Sequence, residues 1–243
     1  MRHLIIGHLG EVGRAHYELL KRRHEVYGID KREVPTAGEE KKIPQIDILH
    51  IAIRYDKETF SDIIRGYVTQ FKPRIVDILT TVPPRTTESF GPQFCHSTTR
   101  GLHPNLSEGL LAIPKHIGGP QSKVLAREFE AVGITCVVHK LARTTEVAHL
   151  LNNVAFGVNL MLADELAKVC RQYGVDYFES VMQYTQTNNL GFSALDHASK
   201  QRMILTPPQG RIGGHCVTQA ANMLNSHASS LPLIEALADY GSK

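Results

Sequence analysis

The sequence predicts an α/β fold, a parallel sheet wrapped by helices, followed by an all-α half. Three observations carry this reading. Up to about residue 140, short β-rich runs alternate with amphipathic helical patterns. A glycine-spaced turn joins the first such run to the first helix. From Leu141 onward the pattern is helical almost to the end of the sequence. The expected division is an α/β domain over 1–140 and an all-α domain, built on one long central helix, over 141–243.

Strands are expected at 3–6, 25–29, 46–53, 74–79 and 134–138, where β-branched and apolar residues cluster. A first helix is expected over about 12–22 and a second over 57–70, where Phe60, Ile63, Ile64 and Tyr67 recur at helical spacing. The stretch 30–46 is polar, contains Pro and Gly, and is too short for a helix plus a strand, so it reads as a trimmed loop. The long helix, 145 to about 173, would span roughly 45 Å. A domain this small leaves part of such a helix uncovered, which predicts a homodimer burying Leu150, Phe156 and Leu160.

Composition narrows the function classes. Of 243 residues, 42% are apolar and 21% charged, as in ordinary globular proteins. The net charge is only +3 and the 27 Lys and Arg residues are scattered, which argues against nucleic acid or an anionic membrane as the main partner. The apolar run after Arg2 is too short for a secretion signal and leads directly into glycines, so it reads as a buried first strand. The most apolar later segment, 147–163, carries His149, Asn152, Asn153 and Asn159, which suits a buried helix rather than a membrane span. Cys95, Cys136, Cys170 and Cys216 form no CxxC pair, which points to reduced thiols and a cytoplasmic protein. The 13 histidines form no HxxxH pattern with an acid partner, so no metal site is expected.

The stretch HLIIGHLGEVGRAHYELL places Gly7, Gly10 and Gly13 between an apolar strand and a helix. Glycines belong there because the turn is tight and the backbone must approach a pyrophosphate, which then meets the free N–H groups of the helix start. Glu11 and Val12 complete the loop, and Asp30 closes the second strand about twenty residues on. The arrangement predicts a Rossmann-type dinucleotide site. A carboxylate at Asp30 accepts hydrogen bonds from ribose hydroxyls and repels a 2′-phosphate, favouring NAD over NADP, while Lys31 and Arg32 work the other way. A ligand-free packing turn needs neither three glycines nor the terminal Asp. The short-chain dehydrogenases share GxxGxxG but use a Tyr-xxx-Lys pair in a later helix. Here Tyr17 and Lys21 sit in the first helix, the wrong place for catalysis.

Four later segments, in order, resemble the UDP-glucose/GDP-mannose dehydrogenase family. Residues 80–87, TTVPPRTT, resemble its STVPPGTT loop. Residues 103–109, HPNLSEG, with 113–119, IPKHIGG, are similar to its PE-x-x-x-EG segment and following strand. Residues 145–153, TEVAHLLNN, and 210–216, GRIGGHC, resemble its AEL-x-K-x-x-x-N helix and GxGGxC loop. The resemblance implies a 6-phosphogluconate-dehydrogenase-like architecture, shortened by the family's third domain. It also implies the site. Cys216 stands at the position of the nucleophile that forms a thiohemiacetal and then a thioester, Asn153 at the oxyanion-stabilising asparagine, Glu108 at an acid and Thr81 at the threonine that manages water and borders the cofactor. Gly213 and Gly214 fall in the substrate loop. Three positions depart from the family: His149 replaces its lysine, Asn105 its first acid, and Gln219-Ala220 its Lys-Asp pair.

His149 and Asn153 are four apart and share a helix face. The same pairing of a helix-borne basic residue with asparagine gives a looser similarity to 3-hydroxyacid dehydrogenases, and His103-Pro104 resembles a segment of prephenate dehydrogenases. An imidazole there can accept an alcohol proton; a buried histidine satisfied by a carbonyl is the bland alternative. Cys216 is either a nucleophile activated by His215 or the helix start, or a packed thiol. Lys115 either meets an anionic substrate or is a solvated surface lysine. The expected function is an NAD-dependent oxidoreductase acting on a CH–OH group of a sugar-nucleotide-like or hydroxyacid substrate, in one two-electron step. The alternatives are a non-catalytic NAD-binding homologue and a subunit that needs another chain for substrate binding.

Overall fold

The computed structural model describes residues 1–32, 43–208, 215–226 and 231–240. The chain divides into two compact units, Met1–His149 and Leu150–Lys243.

The first unit is built on a seven-stranded sheet in the order β2-β1-β3-β4-β5-β6-β7. The strands are β1 (Arg2–Ile6), β2 (Glu25–Ile29), β3 (Ile48–Ile51), β4 (Ile75–Ile78), β5 (Phe94–Ser97), β6 (Lys115–Gly118) and β7 (Cys136–His139). Helices α1 (Glu11–Leu20), α2 (Phe60–Phe71), α3 (Leu106–Ala112) and α4 (Ser122–Glu130) follow them along the chain. The central strands are buried on both faces, which is why they read as continuous apolar runs. Ile5, Ile48 and Ile75 pack with Leu19, Leu125 and Phe129 on one side. Leu4, Ile6, Leu49, Ile51, Val76 and Ile78 pack with Phe60 and Ile64 on the other.

β1 to β5 are parallel, but β6 pairs antiparallel with β5 and parallel with β7. The sheet is thus mostly parallel, as expected, with one antiparallel pairing at this edge. α3 packs on α1 within the link from β5 to β6, and the chain re-enters the sheet running the other way. β5, Phe-Cys-His-Ser, has neither alternation nor a β-branched run, and its pattern did not predict a strand. Most of the expected 30–46 loop lies outside the described residues.

Helix α5 (Ala142–Tyr173) begins in the first unit and continues into the second; its 32 residues correspond to about 48 Å. The second unit adds α6 (Tyr184–Ala194), α7 (His215–Asn225) and α8 (Pro232–Tyr240). Val217 and Leu237 close over Gly157. Leu150, expected to need a second subunit for cover, is fully buried within the single chain, Leu160 is half-buried, and Phe156 is 57% exposed. Among the described residues no helix is long and apolar enough to cross a membrane.

Candidate active site

The strand order reverses between β1 and β3, and the loops that follow these strands meet there. Ligands of open α/β sheets bind at such a switch point. Gly7 has φ +86°, and a Cβ on it would lie 2.4 Å from the Ala52 carbonyl oxygen, in the loop after β3. A Cβ on Gly13 would lie 2.2 Å from the Gly7 oxygen. Both positions demand glycine, and the result is the close-packed turn a pyrophosphate needs. Gly10 precedes α1, and its carbonyl accepts from the Arg14 N–H at 2.8 Å. Glu11 opens α1 with its carboxylate against His103 Nδ1, and the Val12 carbonyl is 2.8 Å from His16 Nδ1.

Asp30 follows β2 and is buried. The Arg32 guanidinium forks onto it at 2.8 and 2.9 Å, and the Arg32 and Leu9 backbone N–H groups donate at 3.1 and 3.2 Å. Arg32 above all holds this carboxyl well below the usual carboxylate range, despite burial.

A second group of residues gathers where the loop after β4 meets the start of α5. Thr80 Oγ1 donates to the Ile53 carbonyl at 2.7 Å, fixing the loop beside the end of β3. Thr81 Oγ1 then lies 3.3 Å from His149 Nε2. The structure thus brings together two residues predicted from sequence. Three positions before His149, the buried Glu146 carboxylate accepts the Arg85 and Thr87 backbone N–H groups at 2.6 and 2.7 Å. Burial raises the Glu146 pKa even against these hydrogen bonds. Sequence reasoning missed this clamp; the only signal was a glutamate on the helix face that carries His149.

Burial first, then the positive charges of Lys115 and Arg100, lower the His149 pKa to about 4. Beside it, His96 is pushed to about 3, chiefly by burial, with its Nδ1 2.8 Å from Thr145 Oγ1. Both imidazoles are neutral near pH 7, so His149 offers a lone pair rather than a cation. Asn153 lies one turn further along α5, and its Nδ2 is buried with no hydrogen-bond partner. An orphaned amide of this kind awaits an acceptor.

Glu108 is exposed in the first turn of α3. Lys115 is neither solvated nor at the surface: it is 1% exposed, with Nζ 3.0 Å from His16 Nε2 and 2.9 Å from the Thr98 carbonyl oxygen, over the Phe129 ring. Burial lowers its pKa to about 8. Cys216 is exposed in the first turn of α7, in the second unit. Gly213 and Gly214 lie outside the described residues.

Residues 143–240 match the central domain of the UDP-glucose/GDP-mannose dehydrogenase family. The matched stretch contains His149, Asn153 and Cys216; the glycine loop, Thr81 and Glu108 precede it. A UDP-N-acetyl-D-mannosamine dehydrogenase from Pyrococcus horikoshii is 27% identical over 214 residues, covering 81% of this chain and 45% of the relative. The chain spans about a third to under a half (33–45%) of the length of the curated relatives it matches. Among solved structures, UDP-D-ManNAc dehydrogenase from P. horikoshii superposes with a TM-score of 0.77 at 22% identity, covering 100% of this chain and 68% of the other. The 3-hydroxyisobutyrate dehydrogenase of Mycobacterium tuberculosis gives 0.68 at 14%, covering 99% and 92%. Both share the fold, a Rossmann-type sheet followed by helices.

Proposed function

We propose that the chain is an NAD-dependent dehydrogenase that oxidises a CH–OH group, with a sugar nucleotide as the leading substrate class and a hydroxyacid as the second. The observation that carries this reading is the neutral His149 imidazole held against Thr81, on the loop after β4. A neutral imidazole is a competent acceptor for the alcohol proton. Gly7, Gly10, Glu11, Val12 and Gly13 would hold the pyrophosphate and Asp30 the adenosine ribose; supporting this, Gly7 and Gly13 pack too tightly against the Ala52 and Gly7 backbone to admit a Cβ, which brings the start of α1 close against the turn. Bound NAD supplies the hydride acceptor. Thr81 orients His149 and borders the cofactor, and Asn153 keeps the position of the family's oxyanion-stabilising asparagine. The family match supports a sugar nucleotide, and the mannosamine-type relatives make UDP-N-acetylmannosamine the first compound to try. Cys216 keeps the family's nucleophile position, and Glu108 keeps an acid position. The protein is read as cytoplasmic.

A second copy of the chain is proposed to cover α5, where Leu151, Leu162 and Val169 recur on one helical stripe at 48–49% exposure. Light scattering at micromolar concentration should give a dimer, and Leu162→Asp should shift it toward monomer.

The reaction itself is tested by following reduced nicotinamide over a panel of sugar nucleotides and 3-hydroxyacids. Turnover that is lost in His149→Gln supports the reading. Tight NAD binding with no turnover on any compound would leave a non-catalytic homologue, or a subunit completed by another chain.

A further inference from the structure

Away from the glycine loop, three side chains from distant parts of the sequence converge. His3 is near the start of β1, His24 directly precedes β2, and Glu128 is near the end of α4. Their donor atoms lie within 4.8 Å of one another. His3 Nε2 and His24 Nδ1 are each 3.5 Å from Glu128 Oε2. Two ligand atoms on one tetrahedral zinc ion stand about 3.4 Å apart, given bonds of 2.0–2.2 Å.

The hydrogen bonds behind these atoms decide where the protons are. On the same sheet face, Asp77 accepts from Ser97 Oγ at 2.7 Å and pairs with His50 Nδ1 at 2.9 Å. A carboxylate only accepts, so His50 Nδ1 carries the proton and its Nε2 is the acceptor. His3 Nδ1, 2.9 Å from His50 Nε2, must therefore donate. That leaves the His3 Nε2 lone pair facing Glu128. This atom is fully buried and makes no hydrogen bond. His24 Nε2 donates to the Glu128 backbone carbonyl at 3.1 Å, so its Nδ1 lone pair faces the same carboxylate. The Met1 amino group, 3.9 Å from Glu128 Oε2, reaches this carboxylate only at the limit of an ion pair. Two imidazole nitrogens and a carboxylate oxygen thus face one another.

We propose that His3, His24 and Glu128 are the ligands of a divalent transition-metal site of the zinc type, which fastens α4 to the starts of β1 and β2. Two imidazoles and a carboxylate suit zinc, cobalt or nickel, and the Asp77–His50–His3 chain is the outer-shell support such ligands use to fix their tautomer. The site lies at the N-terminal ends of the strands, four residues before Gly7 on β1, so it braces the sheet domain rather than taking part in hydride transfer.

The test uses the full chain stripped of metal with EDTA. Co(II) should bind with one equivalent giving tetrahedral-type visible absorption, and Zn(II) should displace it. Zn(II) at a hundredfold excess over its Kd should raise Tm by about 5–10 °C. Glu128→Gln, which preserves shape at a partly exposed position, should lose both responses, as should His24→Ala. An absent Co(II) band in the wild-type chain, or equal Co(II) and Zn(II) responses in wild type and Glu128→Gln, overturns the proposal. So does a wild-type Tm that ignores Zn(II) while both variants are destabilised, because a proton on His24 would then bridge the cluster.

Discussion

The Glu146 carboxylate on α5 accepts the backbone N–H of Thr87 at 2.7 Å. With a second bond to the Arg85 N–H, it ties the end of the 80–87 loop to the helix that carries His149, and so sets where Thr81 meets that imidazole. The clamp turns two sequence-distant segments into one site.

Glu146→Ala should leave the N–H of Thr87, a fully buried residue, unsatisfied. Such a loss costs about 1–3 kcal/mol, or several degrees in Tm for a chain of this size. Glu146→Gln keeps one acceptor oxygen and should lose less. Scanning calorimetry of the two variants checks the order; an unchanged Tm in Glu146→Ala would remove the clamp from the account.

In the proposed reading cofactor choice rests on Asp30 and Arg32, whose fork already occupies both carboxylate oxygens. Ribose hydroxyls must compete with that guanidinium, which is itself well placed for a 2′-phosphate. Arg32→Ala should leave NAD binding equal or tighter and weaken NADP binding about tenfold, roughly 1.4 kcal/mol. Asp30→Ala should weaken NAD binding by a similar factor. Calorimetric titration of both dinucleotides decides it, and an Arg32→Ala variant with unchanged NADP affinity would contradict this division of roles.

What could be foreseen followed from local rules. The glycine loop and β2 were legible because a turn that excludes Cβ atoms, and a strand ended by an acid, leave marks on adjacent residues. α5 was legible from its length and periodicity. β5 was not, because four residues of mixed character carry no period. Lys115 was misplaced because lysine is a surface residue by default; its burial depends on His16 and the Thr98 carbonyl, which are sequence-distant. The Glu146 clamp and the His3–His24–Glu128 cluster were illegible for the same reason: each is made by tertiary contacts alone.

The two buried histidines beside the site make stability depend on pH. His96 and His149 titrate near 3 and 4 in the folded chain, against 6.5 when unfolded. Between pH 6.5 and 4 the unfolded chain therefore binds protons that the folded chain refuses, and stability falls as pH falls. Each group contributes about 1.4 kcal/mol per pH unit across this window, so the pair contributes about 3. Urea unfolding at pH 7.5, 6.0 and 5.0 should show the decline, with about half of this contribution removed in His149→Gln. A flat profile from pH 6.5 to 5 would mean that these imidazoles are already protonated in the folded chain.

The last expectation concerns how many electrons the site moves. In the family this chain resembles, a lysine ammonium stabilises the oxyanion formed when the cysteine attacks an aldehyde. Here His149 takes the lysine position, and burial with Lys115 and Arg100 nearby keeps it neutral near pH 7. It can take the alcohol proton, but it cannot supply a positive charge at the same time. Losing one charged donor from such a site costs on the order of 3 kcal/mol, about a hundredfold in rate. Asn153 remains as a neutral donor, which stabilises less. The acid position at Asn105 and the Lys-Asp position at Gln219-Ala220 are also changed, so of the groups that would serve the water step releasing a thioester only Thr81 and Glu108 remain. One NADH per substrate should therefore form, with an aldehyde or ketone as product, and Cys216→Ser should lower the rate only a few-fold. Product analysis by mass spectrometry together with NADH stoichiometry measures both. Two NADH per substrate, with an aldehyde or covalent intermediate accumulating in Cys216→Ser, would show that the complete two-step oxidation survives without the lysine.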